Sequence, residues 1–214
     1  MDLLNINYFF LLAYIIVGYL KSYYSRERNY LIFSALGLLG LATNVLDFFV
    51  FSSNLELFLI YDLLVIGLYL KFFMSFKTLN IKDSFLFVPL TSLILLAFVF
   101  FYFDWPKSDI SLYSKYRYLN TLEYLFFCLF SGLTCLVICT ILLIKLFKTE
   151  LVQLNLLFIL FGIISFYIGD IIQAGLGIYF ISDTNVHFVF TEVFLTIRLI
   201  ASNGLIILGL LWKN

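Results

Sequence analysis

Charge is what this sequence lacks. Charged side chains make up 12% of its 214 residues and hydrophobic ones 64%, where a soluble domain carries about 25% charged. So few charges cannot cover the wet surface of a soluble fold of this length. They also exclude a disordered tail, which needs low hydrophobicity and high charge, and a nucleic-acid binder, which needs a basic face. The formal net charge is zero, so no bulk field points to an acidic partner. Histidine occurs once, at His187, too few for the usual hydrolytic zinc site; a carboxylate-rich site could still hold a harder divalent ion, but no resident metal or cofactor is expected. The three cysteines, Cys128, Cys135 and Cys139, fall in one apolar stretch and offer no disulfide framework. Their spacing puts them on one helical face with Ser131 and Gly132, a small-residue stripe suited to helix packing. P-loop, dinucleotide and HExxH signatures are missing. The last apolar stretch holds Arg198, and its only lysine, Lys213, follows Trp212, so retinal Schiff-base chemistry is excluded. No Ser–His or Ser–Lys pair sits at depth for intramembrane serine hydrolysis.

What is present is apolar length. A helix needs about 20 mostly apolar residues to cross a bilayer core. Seven stretches meet that criterion: Tyr8–Tyr24, Leu31–Phe51, Leu57–Phe76, Ser84–Phe103, Tyr118–Ile144, Leu154–Phe180 and Phe188–Trp212. The runs lack the strict alternation of a β-barrel strand. The expectation is an all-α polytopic membrane protein, a single domain of seven transmembrane helices over residues 1–214, embedded in the lipid bilayer. The Met1-Asp2-Leu3-Leu4-Asn5 start has no basic n-region, so the first span reads as retained rather than cleaved. Nine of the thirteen Lys and Arg residues fall on one side of these spans, three on the other, and Arg198 lies within the seventh. The positive-inside rule then puts the N-terminus outside and the C-terminus in the cytoplasm of an inner membrane. Tyr23, Tyr24, Tyr30, Tyr102, Trp105, Tyr116, Tyr118 and Trp212 fall at span ends as an interfacial aromatic belt.

Ionisable residues at membrane depth are costly and are functional candidates by default. At about 1.5 Å per residue, Asp47, Asp62, Glu123 and Glu192 all come out about 6–8 Å below the outer surface. Asn44 lies one turn from Asp47, and Asn120 one turn from Glu123. Asp170 and Arg198 come out about 15 Å deep, and an ion pair is the cheapest way to carry both there. Gln173 lies one turn above Asp170, Tyr167 one turn below, and Ser202 and Asn203 lie below Arg198. All these acids lie in the outer half or at the midplane, which implies a polar, net-acidic cavity facing outward. It would favour a proton, a small cation or a protonated amine as ligand. A plainer reading stays open beside it: the upper acids are water-reached and solvated, and the ion pair is a clip between spans six and seven.

Two resemblances are visible. Phe166-Tyr167-Ile168-Gly169-Asp170 and Ile181-Ser182-Asp183 are similar to elements of the lysoplasmalogenase family, in a different order and spacing. Asn54-Leu55-Glu56-Leu57-Phe58-Leu59-Ile60-Tyr61-Asp62, Leu68-Tyr69-Leu70-Lys71-Phe72-Phe73, Asn120-Thr121-Leu122-Glu123, Phe161-Gly162-Ile163 and the ending from Asn203 to Trp212 together resemble a family of uncharacterised bacterial seven-helix integral membrane proteins. That resemblance implies topology and no mechanism. The expected function is a receptor or sensor module whose outward cavity acts through a cytoplasmic or membrane protein partner. The basic cytoplasmic loops would contact that partner or hold anionic lipid. A proton- or cation-coupled transporter using the same acids is the alternative, with Pro89 and the Gly175–Gly177 pair as its hints of broken helices. An intramembrane lipid-processing enzyme, with Asp62, Glu123 and Asp170 as metal ligands or acid/base groups, is the third.

Overall fold

Six helices carry the described residues of the computed structural model, which are 3–50, 55–76, 122–148, 153–179 and 184–212 with isolated positions 79, 91, 92 and 95. They are α1 (Leu3–Ser25), α2 (Leu31–Val50), α3 (Leu55–Met74), α4 (Leu122–Phe147), α5 (Leu154–Tyr179) and α6 (Thr184–Leu211), with a single 3-10 turn, Arg28–Tyr30, between α1 and α2. No strand occurs among the described residues. The helices correspond to spans one, two, three, five, six and seven of the sequence. The fourth, Ser84–Phe103, lies outside the described residues apart from isolated helical positions at Thr91, Ser92 and Leu95. Each helix has 20 to 28 residues, so about 30–42 Å of length, enough for a bilayer core. Ile6–Ser25, Leu125–Phe147, Leu154–Leu176 and Val193–Leu211 are long and apolar enough to cross a membrane. Helix α5 runs unbroken through Gly175 and Gly177, which corrects the expectation of an irregularity there.

The outward faces fit lipid rather than water. On α1, Phe9, Leu12, Ile16, Tyr19 and Tyr23 are all exposed, at the alternating three- and four-residue spacing of one helical stripe. Phe130, Leu133, Val137, Ile144 and Phe147 follow the same stripe on α4, with the exposed Thr140 between Val137 and Ile144. Such continuous apolar stripes are rare on a soluble monomer.

Helix α5 packs on α4 and α6, α6 also on α1, and α1 on α2, which packs on α3. Small residues let the backbones approach, as helix association in lipid requires. A Cβ on Gly162 would stand 2.6 Å from the Ser202 carbonyl oxygen of α6, and one on Gly37 3.2 Å from the Ile15 nitrogen of α1. The cysteine stripe is likewise buried, and beside it a Cβ on Gly132 would stand 2.8 Å from Ile171. That is the packing role the spacing implied.

Helices α1, α3, α4 and α6 begin at one end of the bundle, where α2 and α5 finish. At the opposite, basic end the core is close-packed and aromatic. Tyr30, Phe33 and Phe72 are almost fully buried, with the Phe33 and Phe72 rings 4.9 Å apart edge to face. Tyr30 therefore does not join the interfacial belt, unlike the exposed Tyr23, Tyr24 and Trp212. Its burial follows from a bond that composition cannot show: Asn155 Nδ2 on α5 donates to the Tyr30 hydroxyl at 2.7 Å. Burial, with a smaller contribution from Glu27, pushes the Tyr30 phenol up to about 12, although the bond from Asn155 opposes the rise. Nearby, Lys21 Nζ donates to the Trp212 carbonyl at 2.5 Å, placing a cation on the negative end of the α6 dipole.

Candidate functional site

At the other end all six helices line a cavity of about 250 Å³. That is room for several waters or a small solute. Its lining is polar and aromatic at once. Asp62 and Tyr69 face it from α3, Asp170 and Gln173 from α5, and Arg198 and Asn203 from α6. Tyr14 of α1, Asn44 of α2 and Ser131 of α4 complete the ring.

The α5–α6 wall is built around one cation. The Arg198 guanidinium Nη1 donates to Asp170 Oδ1 in an ion pair and to Gln173 Oε1 at 3.1 Å. Its carbon lies 4.6 Å from the centre of the Phe166 ring, a cation–π contact. The local sequence explains how Arg198 gets there. A Cβ on Gly169 would overlap the Arg198 Cγ and Cδ, so only glycine before Asp170 lets the arginine stem lie flat on α5. The Arg198 carbonyl in turn accepts the Ser202 hydroxyl at 2.7 Å. The Arg198 Nε is buried and has no hydrogen-bond partner among the described residues.

The floor is a polar link to α1. The Tyr14 hydroxyl donates to Asn203 Oδ1, with Tyr69 in hydrogen-bonding reach of Tyr14. Both Tyr14 and Asn203 are buried, so the bond satisfies groups that bilayer or core would otherwise penalise.

Of the nine residues read from the sequence as a site, the structure brings Asn44, Asp62, Asp170, Gln173 and Arg198 to one cavity. Asn120 lies outside the described residues, as do the side chains of Asp47, Glu123 and Glu192, although α2, α4 and α6 carry those three positions. One relation differs from expectation. Depth counting separated Asp62 from the Asp170–Arg198 level, making Asp170 the sole acid beside Arg198. Here Asp62 lines the same cavity and lies in Coulombic reach of both. Depth measured along a helix axis ignores tilt and the lateral reach of side chains, and a turn of either closes the gap. Asp62 itself makes no hydrogen bond or ion pair among the described residues. Sequence reasoning missed the tyrosines Tyr14, Tyr61 and Tyr69 as lining residues. Their signal was a polar tip inside a span rather than at its end, where an aromatic belt belongs.

Among the described residues no group of three His, Cys, Asp or Glu side chains converges closely enough to hold a metal ion. No family model matches this chain, and no curated protein or solved structure does either.

Proposed function

We propose that this protein is a multi-pass receptor or sensor module of a bacterial inner membrane, which binds a small cation in the cavity and acts through a protein partner. The observation that carries the reading is Asp62: a carboxylate without a partner among the described residues, facing a cavity in which the other acid, Asp170, is already held by Arg198. With Asp62 ionised, two acids and one arginine leave this part of the lining one negative charge, which a monovalent cation neutralises. A receptor role, rather than a purely structural one, draws support from the link between cavity and opposite end. Helices α1 and α6 are tied in the cavity floor by Tyr14 and Asn203 and at the basic end by Lys21 and the Trp212 carbonyl. A shift of α6 at Arg198 is thereby passed to the middle and the C-terminal end of α1.

Seven spans with the N-terminus outside belong to the same proposal, as does kinship with the bacterial seven-helix family resembled in sequence. Its support is parity. Helix α3 ends at the basic end and α4 begins at the other, and one further crossing by span four accounts for this. A reporter fused after Asn214 that is active only in the cytoplasm is the expected result, and periplasmic activity there refutes the orientation.

Cation binding is tested by melting the detergent-solubilised protein with sodium, ammonium or tetramethylammonium chloride at constant ionic strength. Stabilisation by any of them that Asp62→Asn abolishes supports the reading, and no stabilisation by any refutes it. Coupled transport is the second reading. Its specific support is that two carboxylates flank one arginine, giving a proton or cation two acceptors in turn. Flux into proteoliposomes separates it from a sensor. An intramembrane lipid-processing enzyme is the third reading, and packing of Arg198 on Gly169 gives that glycine a structural role beside it.

A further inference from the structure

From the aromatic lining we infer the class of cation: an organic ammonium with an apolar body, held by Asp62 against the tyrosine wall, rather than an inorganic ion. This rests on the cation-binding reading and narrows it.

The protein already shows how this cavity holds a cation. Arg198 is an organic cation with an apolar stem. It is held by one carboxylate, Asp170, by one neutral oxygen acceptor, Gln173, and by one aromatic face, Phe166 at 4.6 Å. Across the cavity α3 repeats the same kinds of group, and none of its described lining residues is a cation. Asp62 is the carboxylate, Tyr61 and Tyr69 are the aromatic side chains in the lining, and Tyr61 lies in Coulombic reach of Asp62. An inorganic ion would be served poorly here. A sodium or divalent ion needs about six oxygen ligands drawn in around it, whereas much of this wall is aromatic ring and aliphatic carbon. An alkyl- or arylammonium makes different demands. Its head needs one carboxylate and a few acceptors, its body gains from apolar contact, and ring faces attract its charge. The volume, about 250 Å³, suits a small amine and not a lipid.

Arg198 also sets the specificity against dications. With Asp170 neutralised, a second positive charge on the ligand would meet the guanidinium without a counter-charge among the described lining groups. Monoamines are therefore preferred to diamines of the same length.

The test uses the full chain in detergent, with benzylammonium, propylammonium, propane-1,3-diammonium, sodium and magnesium chlorides at fixed ionic strength. At ten times Kd, a bound monoamine raises Tm by about 3–6 °C. The expected result is a rise with benzylammonium and propylammonium, and a smaller or absent rise with the diamine and the metal ions. Asp62→Asn should weaken benzylammonium binding by at least about tenfold, and Tyr69→Leu by about two- to fivefold. Each variant is first melted without ligand, and Tyr61→Leu replaces Tyr69→Leu if the latter is unfolded. Stabilisation by sodium or magnesium through Asp62, with none by monoamines, overturns the inference and leaves the cation reading standing. No stabilisation by any of the salts removes both. Amine stabilisation that survives Asp62→Asn with its affinity unchanged also overturns it.

Discussion

Removing Arg198 should harm this protein more than removing its partner. Two unit charges at contact distance attract by about 4 kcal/mol at an effective dielectric of about 20. Desolvation returns much of that, so an intact pair contributes little net, while a broken one leaves a bare charge and typically costs about 3–5 kcal/mol. The side chains of Arg198 and Asp170 are 11% and 17% exposed, which moderates the cost to about 2–4 kcal/mol. The two single losses are not equivalent. Arg198→Gln strands Asp170 beside a second acid, Asp62, in one cavity, and it also removes the contact on Phe166. Asp170→Asn leaves Arg198 with Gln173, with Phe166, and with Asp62 in Coulombic reach. At about 2–4 °C per kcal/mol for a chain of this size, Arg198→Gln should lower Tm by about 5–15 °C and Asp170→Asn by less. The double variant should recover at least about 1 kcal/mol relative to additivity, because it strands no partner of the pair. Asp62→Asn should leave Tm unchanged or raise it, since it removes an acid that has no ion pair of its own and repels Asp170. The assay is melting of the four variants in one detergent at one pH. Additive single losses, or a larger loss for Asp170→Asn than for Arg198→Gln, would refute the electrostatic account. An Asp62→Asn variant destabilised as far as Asp170→Asn would show that Asp62 is a structural hydrogen-bonder and not a site.

Three further outcomes follow from other contacts. Gly162→Ala puts a methyl 2.6 Å from the backbone oxygen of Ser202, which cannot swing away, so about 1–3 kcal/mol should be lost, whereas Gly175→Ala meets nothing within 4 Å and should be neutral or stabilise by about 0.5–1 kcal/mol; melting both against wild type checks the pair. Tyr14→Phe should cost about 1–3 kcal/mol by leaving the buried Asn203 oxygen without its donor, and Tyr14→Phe combined with Asn203→Leu should cost less than the sum. For Tyr30 the sign is set by burial: its phenol titrates near 12 in the fold against about 10 when unfolded. The fold therefore holds the proton where the unfolded chain releases it, and stability present below pH 10 is lost as pH rises from about 10 to 12. The difference in alkaline melting between wild type and Tyr30→Phe isolates this loss from that of other groups, and parallel curves for the two would refute it.

Helix boundaries were legible to within a few residues because bilayer thickness writes itself into the chain as uninterrupted apolar length. Leu31–Phe51 and Leu154–Phe180 differ from α2 and α5 by one residue each at the C-terminal end, whereas α1 and α6 begin five and four residues before Tyr8 and Phe188. The pairing of Asp170 with Arg198 was legible for a related reason: a lone arginine deep in an apolar helix has few affordable surroundings, and the neighbouring span held an acid at matching depth. What the sequence hid was lateral. Hydropathy gives depth along a helix but not its rotation about its own axis. So Asp62 was grouped with Asp47, Glu123 and Glu192 by level, while the cavity groups it with Asp170 by azimuth. Tyr30 was misplaced by the same blindness. Its position at a span end fits an interfacial residue, and only the neighbour Asn155 decides that it turns inward.

That division between depth and azimuth bears on where the specificity of the cavity resides. The apolar stripes of α1 and α4 are interchangeable in kind, and any residue that lipid tolerates would serve there. The cavity depends instead on relations between helices that no single helix displays. Gly169 matters only because Arg198 arrives from α6, and Asn203 only because Tyr14 arrives from α1. A residue whose chemistry is explained solely by a partner on another helix is held in place by that partner, and either change alone is costly. Asp62 stands apart from this logic. It is the acid in the described lining with no ion-pair or hydrogen-bond partner, and desolvation in such surroundings penalises a bare carboxylate unless something outside the chain compensates. Stability alone would favour a neutral residue at that position, and the proposed cation would account for its acidity.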